Sequence, residues 1–241
     1  LEAVDICTPT SSHLDIALQC FARKKHVIIE KPVARSLKEA IQINEASKES
    51  GCIAMVGMNQ RFRYDARLIK NYIQTGEVGK VFYVQTGWLQ KAGSRDWKTH
   101  AEIAGGGVVI DLGVPLIDSL LWFYDFQPVK RIFAKTFHHS TNKLEDVCVA
   151  NLEFKDGSYA ALEMSWSIFN TKGDFYCNLH GESGSIKINP LEIYKAEDGV
   201  FVPEQPKDDI SKAQIYKRSF ESEIKHFINA LSGLGLVIST T

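Results

Sequence analysis

The first 58 residues alternate short apolar runs with amphipathic stretches, and this alternation constrains the fold more than any other feature. The apolar runs are residues 3–7, 26–30 and 52–57. Between them, apolar side chains recur at helical spacing, as in Leu14, Ala17, Leu18 and Phe21. The order strand–helix–strand–helix–strand favours right-handed parallel crossovers. The sequence therefore predicts half of a doubly wound parallel α/β sheet in residues 1–58.

Capping signals mark the ends of the two predicted helices. Ser11 or Ser12 is suited to cap the first helix, because a short hydroxyl side chain can accept a bond from the first free backbone N–H groups. Ser36 precedes the second helix, and Glu39 three residues later completes a capping-box pattern. Gly51 follows the last periodic residue, as is typical of a helix C-terminus.

The pattern changes after Asn59, and strands dominate. A helix is predicted at 66–75, followed by strands at 81–89, 129–137, 147–154, 159–168, 175–180 and 185–188. The Asp156-Gly157 pair predicts a hairpin turn, and its flanking strands alternate apolar and polar residues. We therefore predict a large, predominantly antiparallel open sheet of the α+β class in residues 59–241, after the partial α/β domain of residues 1–58.

Charged residues follow the second apolar run. Residues 26–34 read HVIIEKPVA, so that Glu30, Lys31 and Pro32 stand where the strand ends. Ligands of open α/β sheets bind beyond the carboxyl ends of the strands, which favours a functional site here. The alternative is a solvated ion pair in a surface turn, worth at most ~1 kcal/mol.

A second unusual stretch combines an apolar helix with acidic residues. Gly105-Gly106-Gly107 leads into VVIDLGVPLIDSLLWFYDF, in which Asp111 and Asp118 are seven residues apart and share a helix face. An acidic side chain in so apolar a helix is rarely buried without a partner or a task.

Composition excludes several classes of protein. The net charge is −1, from 28 basic and 29 acidic residues with no basic stripe, so a nucleic-acid partner is not expected. The purely apolar stretches fall short of a membrane span and no signal peptide opens the chain, so no membrane partner is expected. The 5 scattered cysteines without a CxxC pair favour reduced thiols and a cytoplasmic location. No clustered ligands indicate a metal site, because the adjacent His138 and His139 would face opposite sides of a strand.

Several motifs, in this order and spacing, resemble one enzyme family over almost the whole chain. They are TPTSSH at 8–13, KKHVIIEKP at 24–32, NQRF at 59–62, TGEVGKV at 75–81, GGGVVIDLG at 105–113 and GESGSI at 181–186. The chain resembles the Gfo/Idh/MocA family (glucose–fructose oxidoreductase, inositol dehydrogenase, rhizopine catabolism) of nicotinamide-dependent sugar oxidoreductases. The resemblance implies a fragment of a longer protein, in which a partial Rossmann domain precedes a substrate domain whose open sheet serves as a homo-oligomer interface.

The resemblance also implies roles for individual residues. The cofactor, NAD or NADP, would be bordered by Thr8, Pro9, Thr10 (in place of the usual Asn), His13, Glu30, Lys31 and Pro32. The peptide bond from Lys31 to Pro32 is commonly cis in the family. The catalytic residues would be Lys31, which reaches the reacting oxygen, and Asp111. The sugar or polyol substrate would contact Arg61, Arg95, Trp97 and Asp111. A lysine suits this task because its charge stabilises a developing alkoxide.

The chain departs from the family pattern at one position. Relatives commonly read D-x-G-x-H-x-x-D, whereas here Pro115 stands where the histidine would be. Proline cannot transfer a proton, and it is expected to remove a helix hydrogen bond to residue 111 and to kink the helix. Either Lys31, alone or with Asp111 or a water, moves the proton, or this chain does not run the usual alcohol oxidation. His100 is an alternative base, although a lone loop histidine is more often solvated.

The leading hypothesis is thus an NAD(P)-dependent oxidoreductase that transfers a hydride between the cofactor and a sugar, an inositol or a sugar derivative. One rival is a catalytically inactive cofactor-binding or sugar-binding member, which Pro115 supports. Another is an NAD-dependent enzyme that cleaves glycosides by transient oxidation. No GxGxxG fingerprint is present in the sequence, as expected if the first half of the Rossmann sheet precedes residue 1.

Overall fold

Three parallel strands and two helices form the first part of the chain. The computed structural model describes residues 1–91, 97, 100–141, 143–167, 173–197, 200–204 and 211–240. The first elements are β1 (Ala3–Ile6), α1 (His13–Ala22), β2 (His26–Glu30), α2 (Leu37–Ser50) and β3 (Ala54–Gly57). The sheet order is β1–β2–β3 and both pairings are parallel, which confirms the predicted doubly wound half-sheet.

Both faces of β2 are covered, which explains its uninterrupted apolar sequence. Val27 and Ile29 are fully buried on one face with residues of α1 and α2. Ile28, 3% exposed, packs on the other face in a cluster with Phe62 and Phe227. The central position of β2 fixes its carboxyl end in the middle of the sheet edge.

The helix ends agree only in part with the capping predictions. Ser36 Oγ accepts a bond from the backbone N–H of Glu39 at 3.3 Å, and Gly51 ends α2 with φ of +68°. The Glu39 carboxylate does not return to Ser36, because it accepts from the backbone N–H and guanidinium of Arg35 at 3.0 and 3.1 Å. The Ser36 bond of the predicted capping box is therefore present, whereas the predicted return bond from the Glu39 side chain was wrong. Ser12 precedes α1, but its hydroxyl donates to the Pro9 carbonyl at 2.8 Å instead of capping the helix.

The second part is built on a large sheet. Its helices are α3 (Tyr64–Gln74), α4 (Ala101–Ala104), α5 (Val114–Phe123) and α6 (Lys212–Leu231). Its strands are β4 (Val81–Leu89), β5 (Val129–Phe137), β6 (Val147–Phe154), β7 (Tyr159–Ser165), β8 (Asp174–Gly181), β9 (Gly184–Ile188), β10 (Glu192–Glu197) and β11 (Val200–Glu204). The order is β11–β10–β9–β8–β4–β7–β6–β5, with β4–β7 the parallel pair and the others antiparallel. The predominantly antiparallel sheet is confirmed, and the predictions lacked β10 and β11.

One face of the large sheet carries the main core. Side chains of α3 and α5, such as Ile69, Leu116 and Leu120, pack against sheet residues such as Leu162 and Phe154. The helical run Ala101–Phe123 is long and apolar enough, by length and composition, to cross a membrane. A core helix passes the same test, and Leu112, Leu116 and Leu120 are each at most 2% exposed in this core.

The end of the chain returns to the first sheet. The backbone N–H of Val56 in β3 donates to the carbonyl of Ser239 at 2.8 Å, and the Ser239 hydroxyl donates to the Val56 carbonyl at 2.7 Å. Met55 and Thr240 form an antiparallel bridge beside them. These bonds satisfy polar groups on the free edge of β3, and they tie residues after α6 to the predicted first domain.

Candidate active site

Lys31 and Asp111, the two predicted catalytic residues, lie side by side. Lys31 follows directly after β2, and its bond to Pro32 is cis. Its Nζ donates to the backbone carbonyl of Asp111 at 2.6 Å and lies 3.4 Å from Oδ1 of the same residue. The two side chains are 22% and 13% exposed. The pair is thus shielded from bulk solvent but still open to a ligand.

His13 connects the two loops that follow β1 and β2. Its ring is 1% exposed, with Nδ1 3.1 Å from the Pro32 carbonyl and Nε2 2.9 Å from the Thr8 carbonyl. Both loops begin at the carboxyl ends of neighbouring parallel strands. The imidazole therefore fixes the loop that carries Lys31 relative to the loop of Thr8.

Glu30 stands at the base of this arrangement. Its Oε2 accepts a bond from the backbone N–H of Lys31 at 3.2 Å. Burial raises the pKa of the Glu30 carboxyl, and the neighbouring Lys31 charge opposes that rise. The side chain is therefore positioned by its own loop at the edge of the cavity.

A cavity of about 630 Å³ opens between the strand ends and the large sheet. The predicted cofactor residues that line it are Thr8, Thr10, His13, Glu30, Lys31 and Pro32. Asp111 and Trp97 line it from the other side. Pro9, also predicted to border the cofactor, is not among the lining residues. Its carbonyl accepts bonds from the N–H and hydroxyl of Ser12 in the turn before α1.

Arg61, a predicted substrate residue, is not among the residues that line the cavity. Its guanidinium, in a side chain 7% exposed, binds both carboxylate oxygens of Asp118 at 2.8 and 2.5 Å. It also donates to the Ile238 carbonyl. Arg61 and Asp118 thus join the start of the second part to α5 and to the end of the chain. Arg95, the other predicted substrate arginine, lies outside the described residues.

Pro115 has no N–H to bond back to residue 111, as predicted, and the Asp111 carbonyl accepts from Lys31 Nζ at 2.6 Å instead. A π-helical turn, Val109–Gly113, precedes α5, and the N–H of Val114 bonds to the carbonyl of Val109. Pro115 is the second residue of α5, which continues directly from the π turn because Gly113 is itself in helical conformation (φ −72°, ψ −42°). A π turn is often found at functional sites and here re-registers the helix just before the proline. Asp111 still lines the cavity, although the residue four positions later is proline and not histidine.

The structure adds lining residues that the sequence analysis missed. They are Asn59, Gln60, Trp88, Gln90, Tyr216 and Phe220. The indole Nε1 of Trp88 donates to the amide Oε1 of Gln90 at 3.1 Å. Tyr216 and Phe220 are four residues apart on α6, a helical spacing visible in the sequence, but nothing in it indicates that α6 returns to this cavity. His100 is exposed and is not among the lining residues.

Comparison with known proteins decides the family. Residues 66–187 match the family model of the GFO/IDH/MocA C-terminal domain. Residues 1–58 match that of the oxidoreductase family with an NAD-binding Rossmann fold. The chain belongs to the GFO/IDH/MocA family. Its predicted cofactor class agrees with this description, and its fold is that of an NAD-binding oxidoreductase.

Named relatives of this GFO/IDH/MocA chain act on sugars and inositols. It is 34% identical over 199 residues to a scyllo-inositol 2-dehydrogenase (NAD(+)) of Bacillus subtilis, covering 79% of this chain and 56% of that protein. It is 23% identical to a D-glucoside 3-dehydrogenase of Escherichia coli, covering 93% and 69%. A levoglucosan dehydrogenase in complex with NADH and L-sorbose shares the fold, with a TM-score of 0.87, 22% identity and coverage of 100% and 73%. The chain spans 52% to 70% of the length of the curated relatives that it matches.

The described residues offer polar groups that fit a dinucleotide cofactor. Two loops at the carboxyl ends of parallel strands face one cavity, and hydroxyl, imidazole and carboxyl groups line it. Thr8, Thr10, His13 and Glu30 are the residues of this chain that would border the cofactor.

Proposed function

We propose that this chain forms the substrate-binding part of an NAD(P)-dependent oxidoreductase that acts on a sugar, an inositol or a sugar derivative. The observation that carries the proposal is the contact of Lys31 Nζ with Asp111, at 2.6 Å to the carbonyl and 3.4 Å to Oδ1, inside the cavity that the family's cofactor loops border. The names of the inositol and glucoside dehydrogenases support the substrate class.

The residues of this chain handle the proton of the reaction. When bound, the nicotinamide accepts or supplies the hydride. In the oxidation direction, the C–H electron pair leaves as that hydride while the O–H proton passes to the uncharged amine of Lys31, which becomes the ammonium. Lys31 Nζ meets the substrate oxygen and stabilises its developing negative charge. Asp111 holds the amine in place, because Lys31 Nζ donates to its carbonyl at 2.6 Å and lies 3.4 Å from its Oδ1. In reduction, the ammonium returns the proton.

Turnover by variants tests the mechanism. In the full-length protein with NAD or NADP and a panel of sugars and inositols, Lys31→Met is expected to lower kcat by ~10²-fold or more, because general acid–base catalysis contributes that much. Absorbance of the reduced nicotinamide gives the rate. Lys38→Met, at an exposed lysine of α2, is the matched control and should turn over like the wild type. Unchanged kcat in Lys31→Met would remove the mechanism.

Pro115 supports a second candidate, a member that binds cofactor and sugar without turnover. It occupies the position at which relatives carry a histidine, so one proton-transfer group of the family is replaced. Saturable binding of both ligands without any change in nicotinamide absorbance would favour this candidate.

We further propose that the protein is cytoplasmic and forms a homo-oligomer through the open face of the large sheet. The 5 cysteines are scattered along the sequence without a CxxC pair, a usage typical of proteins from a reducing compartment. The helices of the main core cover one face of the sheet, whereas the other exposes apolar side chains such as Phe133 (56%) and Val149 (41%). Exposed apolar patches of this kind indicate association surfaces.

A further inference from the structure

Glu145 lies just before β6, is not among the residues that line the cavity, and contacts the entry to the π turn that contains Asp111. Its Oε1 accepts from the backbone N–H groups of Gly107 and Val109 at 3.0 and 3.2 Å. Its carbonyl accepts from the N–H of Val108 at 2.9 Å. The first N–H groups of a helix have no partner within it. A single residue of the sheet domain therefore binds three consecutive N–H groups at this helix start.

Gly107 connects Glu145 with Asp111. The N–H of Gly107 donates to the Glu145 carboxylate, and the carbonyl of Gly107 accepts from the N–H of Asp111 at 3.0 Å. Asp111 in turn presents its carbonyl and its Oδ1 to Lys31 Nζ, at 2.6 and 3.4 Å. A single residue thus stands between the Glu145 carboxylate and the backbone of the residue that meets Lys31. The position of Gly107 sets the position of Asp111, and Glu145 holds Gly107.

The backbone next to Glu145 is fixed by the large sheet. Asp146 is fully buried, its N–H donates to the Phe137 carbonyl at 3.0 Å, and its carbonyl accepts from the N–H of Trp166 at 2.7 Å. The Asp146 carboxylate accepts from the backbone N–H of His139 at 2.8 and 2.9 Å. Glu145 therefore stands on backbone that is bonded to the strands and loops beside it.

The stretch before the π turn also contacts the loop that carries Lys31. Gly105 has φ of +90°, and a Cβ there would lie 2.8 Å from the Cα of Arg35. Arg35 Nη1 donates to the Glu102 carbonyl at 3.0 Å. The glycine run is thus in contact with the Lys31 loop through Gly105 and with Glu145 through Gly107. How the run is held therefore decides how Asp111 approaches Lys31.

We propose that Glu145 is a positioning residue, which fixes the backbone of Asp111 so that its carbonyl and carboxylate meet Lys31 Nζ. This inference rests on the proposed function, because it concerns the support of the amine to which that function assigns the proton. Glu145 contributes geometry: it lies outside the cavity lining and takes no part in proton transfer. Catalysis depends on such support, since a displacement of about 1 Å can cost ~10²-fold in rate.

Two variants of Glu145 test the role of its acceptor oxygen. Glu145→Gln keeps an oxygen acceptor on a side chain of the same length, whereas Glu145→Leu has a similar size and no acceptor. In the full-length protein, with the sugar or inositol that the wild type turns over fastest, Glu145→Leu should lower kcat by ~10- to 100-fold. The Kd for NADH should stay unchanged, and Glu145→Gln should keep kcat close to the wild type. Absorbance of the reduced nicotinamide gives kcat, at a temperature at which all variants are folded.

Crystal structures of the two variants measure the contact directly. The distance from Lys31 Nζ to the Asp111 carbonyl should stay near 2.6 Å in Glu145→Gln and exceed hydrogen-bond distance in Glu145→Leu. Asp156→Leu is the matched control, because the Asp156 carboxylate likewise accepts a backbone N–H, that of Ser158 at 3.0 Å, in the turn between β6 and β7. The control should lower Tm, as Glu145→Leu does, and leave kcat unchanged.

Each remaining outcome counts against the inference or against the proposed function. A lowered Tm with wild-type kcat in Glu145→Leu would mean a structural role alone and would overturn the inference. An unchanged distance between Lys31 and Asp111 in Glu145→Leu, or an equal loss of kcat in both Glu145 variants, would overturn it as well. If the wild type turned over no substrate, the proposed function would fail, and the distances in the two crystal structures would still decide the inference.

Discussion

The polar side chains in and near the cavity differ in how deeply they are buried and in whether they have a partner. Lys31 and Asp111 are partly open and in contact, whereas Gln60 is enclosed without a partner among the described residues. Glu223 on α6 is a third kind: it is 2% exposed, and its Oε1 likewise finds no partner in that part of the chain.

Glu223 should make stability depend on pH. Burial, with the nearby charges of Glu30 and Asp5, raises its pKa from 4.5 to about 8. Between these values the folded state keeps a proton that the unfolded state releases, so stability falls as pH rises from 4.5 to about 8. Glu223→Gln should remove this loss and stabilise the protein at pH 8 by on the order of 4 kcal/mol.

Thermal unfolding at pH 5 and at pH 8 measures this effect. The Tm advantage of Glu223→Gln should be large at pH 8 and shrink towards pH 5. Glu221→Gln, an exposed neighbour on the same helix, is the control and should show little advantage at either pH. A constant difference between Glu223→Gln and wild type would contradict the assigned pKa.

At the level of elements, the glycine run before the π turn allows Glu145 to approach the backbone closely. The carboxylate Oε1 of Glu145 accepts from the N–H groups of Gly107 and Val109 at 3.0 and 3.2 Å, and its carbonyl accepts from Val108 at 2.9 Å. These bonds satisfy the free N–H groups at the start of the helix that carries Asp111. They require close approach, since a Cβ on Gly107 would lie 2.2 Å from the Glu145 carbonyl oxygen.

Gly107→Ala should therefore destabilise the protein. The clash is with backbone, which cannot rotate away, so we expect a loss of ~2 kcal/mol or more in the free energy of unfolding. Denaturant unfolding measures it. Gly235→Ala is the matched control, because a Cβ there meets no atom within 4 Å and its φ is not left-handed. Equal stability of the two variants would show that Glu145 can move aside.

Local chemistry made some elements predictable. The β6–β7 hairpin follows from Asp156-Gly157, and Gly157 has φ of +88°. The carboxyl end of β2 followed from a buried run that stops at charge. Long-range partners were not predictable: an amphipathic α6 does not reveal that Phe227 packs on Ile28. The capping box at Ser36 failed because Arg35 offered Glu39 a stronger, charged partner.

The same limit applies to the candidate site. Lys31 and Asp111 were identified from motifs and meet as expected, whereas Arg61 was assigned to the substrate because the sequence does not show its pairing with Asp118. Glu145 could not be found, since its bonds to Gly107 and Val109 join distant parts of the chain and leave no pattern in the sequence.

At the scale of the whole molecule, one face of the large sheet exposes apolar side chains. Phe133 and Val149 lie on adjacent strands and on the face away from Leu152, which is buried in the core. We expect the protein in solution to have a multiple of the monomer mass in light scattering after size exclusion. Phe133→Glu with Val149→Glu should shift it to the monomer, because two charges would be buried at the interface.

The control for that experiment is an exposed apolar residue elsewhere. Leu37→Glu, at a side chain 76% exposed at the start of α2, should leave the mass unchanged. A monomeric wild type would rule out the proposed oligomer.

The imidazole of His13 has one more consequence. Its ring nitrogens lie 2.9 and 3.1 Å from the carbonyl oxygens of Thr8 and Pro32, one in each strand-end loop. The buried ring is therefore a spacer between these two loops. A smaller side chain at this position would leave the backbone on which Lys31 stands with one support fewer.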